Sequence, residues 1–427
     1  MNCLMKSVQD NNKMFFRVVA MLLCVVATCF FSACHKDDPI KIVPNGDDIY
    51  APSRTVLVYF VAENNLTYSL NTDANEILEG MKTEGLWEGD RLLLYIDDID
   101  LPRFYMIDRN TTATRLSDLT PVKTYSEEVN SSSPEQLAEA LAFMRSKYPA
   151  NSYGLVMGSH ASGWIPSTYP GDYETKSRPR YSFGIDNGKN SSSGSLNGSQ
   201  MNIDDMARVI EQSGGVDFIF FDACFMQTVE VAYELRNAAK YIIGSPAEIP
   251  GPGAYYQTMV PAMFKATGYE EAMLSAYYDY YTTVRTDYGI VLSCIETAGM
   301  DRFASYTKTV IDNHRNDILD ANYSSIQNYF RFGSWATHIP DMYDMQGIMK
   351  QVLSESEFEQ WKEEAAQVVT CKHAGQWYSA FNGRLNYIDD EQCSGMAMFV
   401  PLSKYDGRTN EYNKTYPETA WGKDVWK

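Results

Sequence analysis

The sequence predicts an α/β protein, a three-layer sandwich with a mostly parallel central sheet and helices on both faces. Three observations predict it. Short apolar runs rich in Val, Ile and Leu recur along the chain, as strands buried on both faces require. Helical segments alternate with them, which implies crossover connections and parallel pairing. Past Gly268 the alternation gives way to a more helical C-terminal extension.

In chain order, Thr55–Ala62 is the first buried strand, and a polar turn leads to a helix over Ser69–Met81. Arg91–Asp97 is the second strand, with short additions at Phe104–Ile107 and Lys123–Ser126. Ser133 and Pro134 open a helix to Tyr148, with Ser as N-cap, Pro in the first turn and Glu135 near the positive helix start. Tyr153–Gly158 is the third strand and runs into Ser159 and His160. A long polar loop follows, including the Ser-, Gly- and Asn-rich stretch Asn190–Ser199, and then a helix over Ile203–Gln212. Val216–Phe221 is the fourth strand and ends at Asp222, Ala223 and Cys224. A helix over Thr228–Ala239 and a fifth strand over Tyr241–Ser245 close a core spanning 54–268. The region 269–427 holds helices at 269–286, 301–314 and 355–370, with strands at Tyr288–Cys294 and Gly395–Pro401. The clustered Tyr277, Tyr278, Tyr280 and Tyr281 read first as packing between layers, with a peptide-contacting surface as the alternative.

Composition narrows the function classes. With 427 residues, 44% hydrophobic and 21% charged, the chain can bury a large core and is neither disordered nor collagen-like. Acidic residues outnumber basic ones 55 to 36, a net charge of −19, which argues against sequence-independent binding to nucleic acid. Such a charge keeps a protein soluble; it can also attract basic substrates.

The N-terminus reads as a targeting segment. Lys6, Lys13 and Arg17 precede an apolar run from Val18 to Phe31, too short to span a bilayer as a helix. Small residues Ser32 and Ala33 then precede Cys34, like the lipobox of bacterial lipoproteins, in which that Cys is lipidated. The following His35, Lys36, Asp37 and Asp38 resemble a surface-export signal of Bacteroidetes lipoproteins. The expected organisation is therefore a signal peptide over 1–33, a Pro- and Asp-rich tether over 34–53, and a domain over 54–427 held by lipid at the outer-membrane surface of the bacterial envelope.

Cys224, Cys294, Cys371 and Cys393 remain in the domain, too sparse for a disulfide framework. Cys371 and His373 have no second ligand pair at a useful spacing, so no metal site is expected.

His160 and Cys224 each end a buried strand, at the edge where open α/β sheets bind ligands. Neighbouring strands lie ~5 Å apart, so the two side chains can share a site. Imidazole can take a proton from the thiol and return it to a leaving amine. The amides after His160, at Ala161, and at Cys224 are the candidate oxyanion hole, with Gly158 and Gly163 permitting close backbone approach. Alone, the pair is only suggestive: Cys at a strand end is often a buried small hydrophobe, and His in a Gly-rich loop is often a turn residue.

The stretch Tyr153–Trp164 resembles the His motif of the clostripain family of cysteine peptidases, and Phe220–Leu235 resembles its nucleophile motif. Ser182–Asp186 with Met201–Asp205, Ser245–Gly253 and Thr419–Trp421 are similar to further family segments, so the resemblance covers about residues 54–427. It implies a caspase-like fold and a surface-anchored endopeptidase that cleaves proteins or peptides after Arg or Lys. In that reading Cys224 is the nucleophile, His160 the acid/base, and Asp222 the acid of the basic-side-chain pocket, with Glu248 nearby. Period-two geometry lets Asp222 and Cys224 face one site, although Asp222 could instead be tied to local amides.

Two departures stand out. Ala161 replaces the family's usual Gly, and Ile249, Pro252 and Ala254 stand where many members carry further acids. These favour the competing expectation, a catalytically idle caspase-like module that binds peptides or glycans at the surface. Family members are often nicked between the two motifs, where Lys176, Arg178, Arg180 and Lys189 lie here. No cofactor is required; some members use calcium, which no EF-hand pattern in this sequence supports.

Overall fold

The computed structural model describes residues 53–165, 183–188, 198–329, 342–380, 382–406 and 412–427. The expected signal, Cys34 and the tether up to residue 52 lie outside them.

The first five elements are β1 (Arg54–Val61), α1 (Thr67–Gly80), β2 (Arg91–Asp97), β3 (Arg103–Ile107) and β4 (Lys123–Thr124). Next come α2 (Pro134–Lys147), β5 (Ser152–Gly158), β6 (Phe183–Asp186), β7 (Ser199–Met201) and α3 (Ile203–Gln212). Then follow β8 (Val216–Asp222), α4 (Val229–Glu234), β9 (Ala239–Gly244), α5 (Tyr256–Met263), α6 (Tyr269–Thr283) and β10 (Val291–Glu296). The remainder includes α7 (Met300–Asp320), β11 (Tyr343–Asp344), α8 (Met345–Val352), α9 (Glu355–Ala365), β12 (Val369–His373), the hairpin β13 (Gln376–Ser379) and β14 (Arg384–Tyr387), and β15 (Ala397–Met398).

One nine-stranded sheet runs β12-β10-β9-β8-β5-β1-β2-β3-β4. Its centre, β9 to β2, is parallel, and both flanks are antiparallel. Alternation along β1 assigns the faces. Leu57, Tyr59 and Val61 pack with α2, α3, α4 and α7, while Val56, Val58 and Phe60 pack with α1, α5 and α6. The order of pairing reverses beside β1, with β2 on one side and β5 on the other, so a crevice is expected beyond the C-terminal ends there.

The C-terminal region is integrated into this sheet, since it supplies β10 and β12. Several expected elements differ in extent. The helix over Thr228–Ala239 is only Val229–Glu234, because Ala239 already pairs with Val216. The helix over 355–370 stops at Ala365, and Val369–His373 joins the sheet opposite Val291–Ile295. The strand at Gly395–Pro401 shrinks to Ala397–Met398, paired with β11. No helix among the described residues is long and apolar enough to cross a membrane.

Candidate active site

The parallel register of β5 and β8 pairs Gly158 with Asp222. His160 and Cys224 each lie two residues beyond that pair, so the topology brings them to the same level at the same sheet edge. The two loops are packed together. Gly163, with φ +66°, faces the nucleophile turn so closely that a Cβ there would lie 2.6 Å from the Phe225 carbonyl oxygen. Glycine is required on both counts, conformation and space.

The turn at Cys224 is strained. Phe225 is the single non-Gly residue with positive φ among the described residues, at 62°. Its N–H donates to the Ala247 carbonyl at 2.9 Å, and Gln227 N–H donates to the Ser245 carbonyl at 3.1 Å. The loop after β9 thus holds the turn against relaxation, as a strained functional backbone needs.

His160 has a partner that sequence reasoning missed. Its Nε2 pairs with Asn65 Oδ1 at 2.5 Å, from the loop after β1. A carbonyl oxygen can only accept, so the ring proton sits on Nε2 and Nδ1 keeps the lone pair. The sequence signal available was weak: a polar residue just past the first buried strand.

Ala161 is not left-handed. It forms an extended bridge with Phe183, and Gly184 N–H donates to the His160 carbonyl at 2.9 Å. The His160 C=O therefore points at β6, and the Ala161 N–H of the same trans peptide points away from it. The Gly-to-Ala departure carries no conformational cost here.

The resting electrostatics keep both groups neutral. Burial lowers the half-buried His160 ring to about 4. Burial pushes the Cys224 thiol up to about 12, opposed by the Ile249 N–H, which points at Sγ from 3.3 Å, and reinforced by the charges of Glu248 and Asp222.

Asp222 ends β8, and the chain turns beyond it, so period-two alternation does not carry on to Cys224. A shared loop links them instead: Ile249 meets the thiol, and Ala254 N–H donates to Asp222 Oδ2 at 3.1 Å. Tyr256 Oη donates to the same oxygen at 3.0 Å, while Asp222 Oδ1 is buried without a hydrogen-bond partner. Burial pushes Asp222 up to about 6 against those two donors. Burial raises Asp73 and Glu76 of α1, and the charge of Asp222 adds to both shifts. Additional acids therefore come from α1, not from the loop at 249–254. Glu248 accepts from Ala380 N–H at 2.9 Å, next to the hairpin of β13 and β14. The residues proposed for nicking, Lys176, Arg178, Arg180 and Lys189, lie outside the described residues. Cys371 Sγ lies 3.8 Å from Cys393 Sγ, and Cys294 is buried.

Comparison with known proteins follows the same lines. Residues 58–425 match the family model of the clostripain family, peptidase C11. Clostripain of Hathewaya histolytica is 29% identical over 225 residues, a match covering 47% of this chain and 40% of that protein. This chain thus matches less than half the length of that curated relative. An inactive zymogen C11 protease from Parabacteroides distasonis superposes with a TM-score of 0.71 at 26% identity, covering 89% of this chain and 100% of that one. A secreted C11 cysteine protease from Bacteroides thetaiotaomicron, solved with an irreversible peptide inhibitor, gives 0.70 at 27% identity, covering 88% and 99%. The chain therefore belongs to the clostripain family and has its caspase-like α/β fold.

Proposed function

We propose that the protein is a cysteine endopeptidase in which Cys224 is the nucleophile and His160 the proton carrier. The observation that carries the reading is the equal register of the two residues past paired strands, with their loops in contact at Gly163 and Phe225. Sulfur bonds to the peptide carbonyl carbon as the thiol proton passes to His160 Nδ1. The carbonyl electron pair moves to oxygen, and the N–H groups of Ala161 and Cys224 receive it. The imidazolium gives its proton to the leaving amine as the C–N bond breaks, leaving a thioester. Water then attacks the thioester, loses a proton to the same ring, and the thiol is regenerated with release of the acid.

A neutral thiol and a neutral imidazole form a latent pair. Self-cleavage at a basic residue between the two motifs would change its surroundings. Incubating wild type beside Cys224→Ala tests it: equal fragmentation of both eliminates self-processing.

Preference for Arg or Lys at the cleaved bond rests on Asp222, with Asp73 and Glu76 adding to the negative potential around it. Glu248 is the nearby acid of the thiol's own surroundings. Lipid on Cys34 would hold the enzyme at the outer-membrane surface, and Cys34→Ala should move it to the soluble fraction.

A peptide-library digest with the purified protein tests activity and preference together. Cleavage spread evenly over acidic, apolar and basic side chains would remove the role given to Asp222.

A further inference from the structure

We propose that Cys371 and Cys393 are a redox pair that closes into a single disulfide in the exported protein, stapling β12 to the segment behind the nucleophile turn. Their sulfurs lie 3.8 Å apart, in contact as free thiols. A disulfide bond is ~2.0 Å long, so about 1.8 Å remains to close. Both side chains are partly exposed, so an oxidant in solution can reach them.

The backbone around the pair is shaped to hold the contact. Gly395, with φ +75°, packs on Cys371, and a Cβ there would lie 2.6 Å from its Sγ. Glycine is required there for conformation and for space. The N–H groups of Ser394 and Gly395 donate to the buried Asp344 carboxylate at 3.0 and 3.1 Å, which pins the chain just past Cys393. Tyr329 Oη donates to the same carboxylate at 2.8 Å and lies 3.3 Å from Cys393 Sγ.

The pairing is selective. Cys294 follows Ser293, the register partner of Cys371, and alternation turns it to the opposite face of the sheet. Cys224 follows β8, and β9 and β10 stand between β8 and β12, a separation of about 14 Å. Neither is within reach of the pair.

The reaction is exchange with a low-molecular-weight or protein disulfide. One thiolate of the pair attacks a sulfur of the oxidant, and the departing thiolate takes up the proton. The second cysteine attacks the protein sulfur of that mixed disulfide; the Cys371–Cys393 bond forms and a second thiol leaves. Two thiols are oxidised and one external disulfide is reduced to two thiols. Such oxidants act outside the cytoplasm. The inference rests on export of the chain and not on peptidase activity.

The bond has a place in the support of the site. The two residues are 22 apart, and the loop between them carries the hairpin of β13 and β14, whose Ala380 N–H donates to Glu248. The charge of Glu248 acts on the Cys224 thiol. Past Cys393, the Gly395 carbonyl accepts from Ser293 Oγ at 2.6 Å, and Ser293 Oγ accepts from Gln227 Nε2 at 3.1 Å. Ala397 N–H donates to the Gln227 carbonyl at 3.0 Å. Gln227 follows Cys224 by three residues, so one bond would hold both the hairpin and the segment behind the turn.

Differential alkylation tests the proposal. The purified full chain is incubated with oxidised glutathione, unfolded, alkylated with iodoacetamide and digested for mass spectrometry. The peptides carrying Cys371 and Cys393 should appear joined, with Cys294 alkylated. TCEP should separate them and lower Tm by about 4 °C, the effect of opening a loop of this length in a domain of this size. Cys371→Ser should leave Cys393 in no crosslink and make Tm indifferent to TCEP. If that variant fails to fold, Cys393→Ser serves in its place, with Cys371 the residue left uncrosslinked. Cys371 and Cys393 found apart after glutathione treatment, either one joined to another cysteine, or a wild-type Tm that ignores TCEP overturns the proposal.

Discussion

Asn65 Oδ1 accepts a hydrogen bond from His160 Nε2–H at 2.5 Å, which leaves the ring's lone pair on Nδ1, the atom that receives the thiol proton in the proposed mechanism. This makes Asn65 a positioning residue. Asn65→Ala should lower kcat on the order of 10- to 100-fold while leaving KM nearly unchanged, because only ring orientation is lost. Steady-state kinetics on one basic peptide check it; a rise in KM at constant kcat would place Asn65 in substrate binding instead.

The resting pair predicts an alkylation profile. With the thiol at about 12 and the ring at about 4, sulfur stays protonated from pH 5 to 9. The rate with iodoacetamide should climb about tenfold per pH unit across that range, following the thiolate fraction. A flat rate from pH 5 to 8 would mean a preformed thiolate–imidazolium pair.

Asp222 trades stability for charge. Its folded value, about 6, lies above the ordinary 3.8. The folded state therefore favours the protonated acid, and that contribution is present below about pH 4 and lost as pH rises through 6. Asp222→Asn should melt higher than wild type at pH 8, with the gap closing at pH 4, and should lose preference for Arg and Lys. In wild type, kcat/KM on basic peptides should fall as pH drops below 6. A variant less stable than wild type at pH 8 contradicts this account.

Gly163→Ala joins two penalties, a left-handed φ and a Cβ at 2.6 Å from the Phe225 carbonyl oxygen. It should cost about 1–3 kcal/mol in urea unfolding and most of the activity. An unchanged midpoint would show that the two loops are not held against each other.

The site was legible where periodicity and position were enough. Buried runs placed His160 and Cys224 at strand ends, and the matched register of β5 and β8 brings those ends level. Asn65 was not legible, because an Asn in a turn after a strand carries no mark of its eventual partner. The alternation argument for Asp222 and Cys224 failed for a local reason: β8 ends at Asp222 and the backbone turns through Phe225. The acids near Asp222 come from α1, and the contact of Cys371 with Cys393 needs two segments folded together. Such long-range assemblies exist only in the tertiary structure. The helix over 355–370 was overextended because Val368 and Val369 suit both helix packing and the strand that actually forms there.

The most direct measurement is covalent labelling with a peptide that carries an alkylating group after Arg, followed by mass spectrometry of the modified residue. Label should appear on Cys224, and His160→Ala should slow it on the order of 100-fold or more. Label on Cys294, Cys371 or Cys393, or an undiminished rate without the imidazole, would contradict the dyad.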